Sequence, residues 1–198
     1  MIEVDLSRRK PAVVVTDVQE LFTAAEGPFE NTTSVPLLES LNAFLRECRN
    51  LGVPVVFSNY VLRDDRLDAG LLRDAPWVVA GHMGESSRWI RVDRRIERAP
   101  SDVEVRHNRP SAFFRSELDA VLAGLAVDAI ALCGLSVNNA ISATARDAFA
   151  RDLPTIVVRE CTGAAPWETE DDTYFAILST WTAEVASADD VLARLRAA

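Results

Sequence analysis

Apolar residues recur along this chain in two alternating rhythms. PAVVVTDVQ (11–19) is a short β-branched run that ends in polar residues, which predicts a buried parallel strand. From Thr33 to Leu51 the period changes: Leu38, Leu41, Leu45 and Cys48 fall at i, i+3, i+7 and i+10, one face of a helix, with Gly52 placed to stop it. VPVVFSNY (53–60) predicts the second strand and VEVRH (103–107) the third. Leu118, Val121, Leu122 and Leu125 then mark a helix closed at Gly124 and the turn after it. VDAIALCG (127–134) is the most apolar strand, and the helix expected behind it, 138–152, carries Ile141, Ala145, Ala148 and Phe149 on one face. LPTIVV (153–158), a helix near Glu170–Thr182, a short strand AEVAS (183–187) and a last helix Ala188–Arg196 complete the pattern. Strands separated by helices predict an α/β fold: a three-layer sandwich with a six-stranded parallel sheet. The stretch 61–102, with Gly70, Gly81, Gly84, Pro76 and Pro100, reads as excursion loops with short helices on a single 1–198 domain.

Composition narrows the partners. The chain has 198 residues, 48% hydrophobic and 26% charged, enough to bury a core. A net charge of -9 lacks the positive footprint of a nucleic-acid or anionic-membrane binder. Cys48, Cys133 and Cys161 are widely spaced and form no C-x-x-C pair, so they read as small core residues in a reducing, cytoplasmic protein. No apolar run is long enough for a signal peptide or a membrane span. His82 and His107 are the only histidines, and no carboxylate cluster accompanies them, so no metal site and no organic cofactor is expected. GxGxxG, GxxxxGK[ST] and GxSxG are absent.

In a doubly wound sheet, ligands bind beyond the carboxyl ends of the strands. After the first strand come Asp17, Gln19 and Phe22; after the third, His107, Asn108, Arg109 and Ser111-Ala112-Phe113; after the fourth, Gly134 and the run Leu135 to Ala140 opening a helix. Each has a plainer use. Asp17 suits a turn or helix cap, His107 a solvated loop, Asn138 and Asn139 helix caps, Phe113 and Phe114 the core, and Arg109 a structural ion pair. The cluster Arg91, Arg94, Arg95 and Arg98 alternates with acids and reads as a solvated face.

Taken in order, these segments resemble the isochorismatase-like family, the cysteine hydrolases, which includes nicotinamidases, N-carbamoylsarcosine amidases and isochorismatases. The resemblance covers nearly the whole chain. It rests on D-x-Q at Asp17-Val18-Gln19, on K-x-x-x-S-A-F at His107 through Phe113, and on G-x-x-T-N-x-C-V-x-x-T-x-x-D-A at Gly134 through Ala148. It implies strand order 3-2-1-4-5-6 and a triad of aspartate, lysine and cysteine that attacks an amide carbonyl. Asp17 stands at the aspartate position, His107 at the lysine position and Ala140 at the nucleophile position. The backbone N–H groups of Ser136 and Ala140 would form the oxyanion hole, and a cis peptide would join Leu135 and Ser136. Gln19, Phe22, Phe114, Asn138 and Asn139 match substrate-binding positions, with Trp77 and Trp89 as further candidates. The resemblance also implies a homo-oligomer, a dimer or larger, with the 61–100 excursion at a subunit contact.

A methyl group is no nucleophile, so the covalent amidase route cannot run on this chain as written. Three readings accommodate Ala140. In the first, the chain has diverged, as isochorismatases have, toward acid–base hydrolysis of a small organic molecule; burial against Phe22 would raise the pKa of Asp17, and an Asp17–His107 pair could activate water. In the second, it is a cysteine amidohydrolase of a small amide with an engineered Cys→Ala change, which leaves His107 unexplained. In the third, it is a non-catalytic ligand-binding or scaffold protein. Cys133 lies in a strand before Gly134, and Ser142 is two positions along the helix, so neither replaces the thiol. Nothing in 20–60 supplies the metal-binding histidines of nicotinamidases.

Overall fold

The computed structural model describes residues 2–29, 34–164 and 171–198. Six parallel strands form one sheet in the order β3-β2-β1-β4-β5-β6: β1 Pro11–Thr16, β2 Val55–Tyr60, β3 Val103–His107, β4 Ala129–Gly134, β5 Thr155–Thr162 and β6 Glu184–Ala186. Strand residues alternate between the two faces, and both faces of the central strands are covered, so β1 and β4 read in sequence as nearly unbroken apolar runs. Val13, Val15, Phe57, Ala131 and Cys133 enter one core, under α2 (Ser34–Asn50) and α7 (Ala188–Ala197). Ala12, Val14, Val56, Ile130 and Leu132 enter the other, under α4 (Leu118–Gly124), α5 (Ser142–Phe149) and α6 (Asp171–Trp181). This is the expected three-layer sandwich in the expected order.

The helix stops are more varied than the sequence suggests. Gly52 ends α2 with φ 75°, and Val53 N–H donates to Cys48 C=O at 2.9 Å. α4 ends at Gly124, as expected; in the turn after it the left-handed residue is Ala126 (φ 55°), with Val127 N–H donating to Leu122 C=O at 2.9 Å. Asp152 (φ 55°) does the same after α5, which ends at Phe149, and the Phe149 side chain is exposed rather than in the core.

Two elements depart from their expected bounds. The helix expected from 138 opens instead as a π-turn, Val137–Ile141, in which Ile141 N–H donates to Ser136 C=O at 3.1 Å. β5 runs on past Val158, through exposed Arg159 and Glu160, to buried Cys161 and Thr162, with a register shift opposite Leu132–Gly134. That polar pair broke the apolar run used to end the strand. The expected starts of two helices, Thr33 and Glu170, lie outside the described residues.

The excursion is exposed along much of its length but anchored at its end. It carries a short helix α3 (Pro76–Val79) and single 3-10 turns at Gly70–Leu72 and Arg88–Ile90. Its end is sewn to the short helix α1 (Glu20–Thr23) that follows β1. Asp93 is 2% exposed; its carboxylate accepts from Arg95 Nε and Nη2 at 2.9 and 2.7 Å and from Thr23 Oγ1 at 2.5 Å. Burial alone would raise the Asp93 pKa, but these bonds outweigh it and hold the carboxyl below its ordinary range. Arg98 stacks 4.5 Å over the Phe57 ring and pairs with Asp102 and Glu104. Arg91, Arg94, Arg95 and Arg98 are all exposed, as a solvated basic face requires, while the acidic partners of Arg95 and Arg98 lie beneath them.

Gly134 ends β4 with φ 111°, and a Cβ there would lie 2.0 Å from Thr16 O, a backbone atom that cannot move aside. Gly134→Ala should therefore lower stability by about 3–5 kcal/mol, combining left-handed strain with a backbone clash, as read by chemical denaturation.

Candidate active site

The ends of β1, β2 and β4 converge. Asp17 follows β1 in the left-handed region (φ 56°), a strained place for a non-glycine residue. Its N–H donates to Ser58 C=O at 3.0 Å. Its Oδ1 accepts from Tyr60 N–H at 3.1 Å and lies 2.9 Å from His107 Nε2. The other ring nitrogen, Nδ1, lies 2.5 Å from Arg109 C=O. A carbonyl oxygen only accepts, so Nδ1 carries a hydrogen. One further proton then lies between Nε2 and the Asp17 carboxyl. The His107 ring is fully buried and stacks on Tyr60, centroids 5.2 Å apart. Burial opposes its charge, but the Asp17 charge and hydrogen bond, with the carbonyls of Arg109 and Ser58, raise its pKa above the ordinary 6.5.

The loop after β4 hangs on the same strand end. Leu135 N–H donates to Thr16 C=O at 2.9 Å, and Val137 N–H to Gly163 C=O at 3.0 Å. The Leu135–Ser136 peptide is cis. Ser136 Oγ donates to Asn138 Oδ1 at 3.1 Å, and Ser142 Oγ is turned back to Val137 C=O at 2.6 Å. Thr144 Oγ1 accepts from Ala112 N–H at 2.9 Å, tying the Ser-Ala-Phe segment to α5.

These elements wall a cavity of about 660 Å³. Its polar end is Asp17, Ser136, Asn138 and Asn139; its apolar walls are Phe22, Phe29, Tyr60, Leu72, Trp77, Met83 and Leu135. Phe22 and Phe29 stack at 5.4 Å, and Trp77 meets Phe29 edge-on at 5.8 Å.

Several expected positions do not face this cavity. Gln19 is fully buried: Nε2 donates to Tyr60 C=O and Ile90 C=O at 3.1 and 2.7 Å, and Oε1 accepts from Tyr60 N–H at 2.9 Å. It clamps the excursion to β2 and has no group left for a substrate. Phe114 is 39% exposed and sits under Arg109 and Arg115 instead. Trp89 packs beneath Arg88. His107 lies behind Asp17, and the Ala140 methyl is buried within the π-turn. Arg109 is structural: Nη1 donates to Asp68 C=O at 2.7 Å and to Asn108 C=O.

The sequence reading missed Tyr60, Phe29, Leu72 and Met83. Tyr60 is the last residue of β2, so the strand-end rule that found Asp17 would have found it too. Its hydroxyl is buried with no hydrogen-bond partner among the described residues. Burial, opposed by Arg109 and reinforced by Asp17 and Asp68, pushes the phenol up to about 12, so it remains a donor. Among the described residues no group of three His, Cys, Asp or Glu could hold a metal, and no helix is long and apolar enough to cross a membrane.

A family model of the isochorismatase domain matches residues 11–190. The chain belongs to the isochorismatase family. Maleamate amidohydrolase of Pseudomonas putida is 29% identical over 190 residues, 95% of this chain and 88% of that protein. N-carbamoylsarcosine amidase of Arthrobacter is 26% identical over 157 residues, 78% of this chain and 60% of that protein. A crystal structure of a cysteine hydrolase from Pseudomonas syringae pv. phaseolicola superposes with a TM-score of 0.89 at 21% identity, covering 99% and 96% of the two chains. The isochorismatase-family hydrolase thus shares its overall fold with that cysteine hydrolase.

The histidine gives a pH test. Because its folded-state pKa lies above 6.5, the stability it contributes is complete below about pH 6.5 and is lost as pH rises through the folded value. Imidazole NMR should place the His107 midpoint above 6.5, Asp17→Asn should lower that midpoint, and the stability gap between the two proteins should narrow as pH rises.

Proposed function

We propose that this isochorismatase-family hydrolase cleaves small amides without a covalent intermediate, with Asp17 as general base and His107 as the buried partner hydrogen-bonded to it. The observation that carries the reading is the His107 Nε2–Asp17 Oδ1 contact of 2.9 Å, with Nδ1 held by Arg109 C=O. Support for the bond type comes from the relatives, whose names are amidohydrolase and amidase. Asp17 faces the cavity and His107 backs it, so the aspartate, not the histidine, meets the reactant.

In this scheme Asp17 takes a proton from water as the water oxygen attacks the amide carbon. The carbonyl electrons move to oxygen, and the backbone N–H groups of Ser136 and Ala140 receive that charge. The oxyanion collapses, the C–N bond breaks, and the amine leaves with the proton held by Asp17. The sum is water added across the C–N bond, giving acid and amine. General-base catalysis is worth about 10²–10⁴-fold, and a backbone oxyanion donor about 10²–10³-fold. Ala140 enters only through its backbone, so divergence at its side chain leaves the donor in place.

Asp17→Asn should lower kcat/KM by about 10²–10⁴-fold on an amide that the native chain hydrolyses, with the far-UV spectrum unchanged. An unchanged kcat/KM would overturn Asp17 as the base. Ala140→Cys tests the covalent reading on the same substrate: a gain in turnover together with an acylated thiol by mass spectrometry would show a cavity that still suits a thiol nucleophile.

A further inference from the structure

The charge of the cavity selects among substrates. Asp17 is the one ionisable carboxyl on its wall among the described residues, and no Lys, Arg or His side chain lines it. Residues 30–33 and 165–170, outside the described residues, contain no Lys, Arg or His in sequence, and their ionisable residues are Glu30, Glu168 and Glu170. The cations that act on Tyr60 and Asp17 are occupied. Arg109 donates to two backbone carbonyls and lies 5.6 Å from the Phe114 ring centroid, and His107 is fully buried behind Asp17. The Asp17–His107 pair sums to zero charge whichever side holds the shared proton, and to −1 once that proton is lost. With that one shared proton or without it, the pair presents no net positive charge to the cavity.

The rest of the wall is aromatic and aliphatic. A carboxylate bound against Phe22, Trp77 and Met83 would lose its water, gain no counter-charge and face Asp17. An uncharged flat group suits those walls, and the unpartnered Tyr60 hydroxyl offers it a single buried hydrogen bond. We infer that this cavity takes uncharged, flat, unsaturated or aromatic carbonyl compounds and rejects those bearing a carboxylate. The amide part of this inference rests on the function proposed above; the charge preference rests on the cavity wall alone. Maleamate, the substrate in one relative's name, is an amide with a free carboxylate, so the inference separates this chain from that activity.

Two matched pairs test it by calorimetric titration of the full chain at pH 7: maleamate against its methyl ester, and benzoate against methyl benzoate. The uncharged member of each pair is expected to bind at least about ten-fold more tightly, with the margin smaller in Asp17→Asn and the uncharged members weakened in Tyr60→Phe. Maleamate or benzoate binding as well as its ester would overturn the charge preference and leave the amidase reading standing. Methyl benzoate binding while neither amide does would keep the charge preference and overturn the amidase reading. No binding in either pair would overturn both.

Discussion

The site depends on one residue held against its own backbone preference. Asp17 has a left-handed conformation that a non-glycine residue adopts only when its surroundings impose it. Here they do so from three sides. Its N–H is held by Ser58, its carboxylate by Tyr60 N–H, and the same oxygen meets His107. The contact therefore joins the ends of β1, β2 and β3. Gly134 completes the arrangement: lacking a Cβ, it lets β4 end directly against Thr16, so the following loop hangs beside Asp17. The strand order places β1 next to β4, where an open α/β sheet reverses its direction of growth, and the crevice there becomes the cavity.

Histidine at the position that the resemblance gives to a lysine would change the nature of the positive charge. An ammonium on a flexible stem can swing and rehydrate. The His107 ring cannot: it is clamped between a backbone carbonyl and a carboxylate and stacked on Tyr60. Burial opposes its charge, but Asp17 and the carbonyls of Arg109 and Ser58 raise its pKa above the ordinary imidazole value. The charge that orients Asp17 is thereby tied to the proton activity of the solution.

Much of this was legible in the residues. β-branched runs located the strands, helical spacing located α2, α4 and α7, and the segments after β1, β3 and β4 pointed at Asp17, His107 and the 135–140 loop. What stayed hidden depends on long-range contact. Gln19 follows Asp17 in a motif that resembles a binding signature, yet its amide is consumed by Tyr60 and Ile90, which lie 41 and 71 residues away. Arg95 sits among alternating charges on an exposed face, and only its contacts with buried Asp93, with Thr23 and with Ser34 show that it also pins the excursion down. The π-turn at 137–141 has no period of its own in the sequence. Phe29, Leu72 and Met83 reach the cavity only because the excursion folds back over α1.

The three cysteines have a consequence outside the chemistry of the site. Cys48, Cys133 and Cys161 all lie in the core on the α2 and α7 face and are fully buried. Burial, with the neighbouring Cys161, pushes the Cys48 thiol up to about 12; burial and a hydrogen bond with Cys161 push Cys133 up as well. Alkylating reagents react with thiolates, so the native sheet keeps this trio dark at neutral pH. The trio then behaves as a clock for the fold. The rate at which a reagent marks it measures how often the α2 face lifts from the sheet, without any engineered reporter.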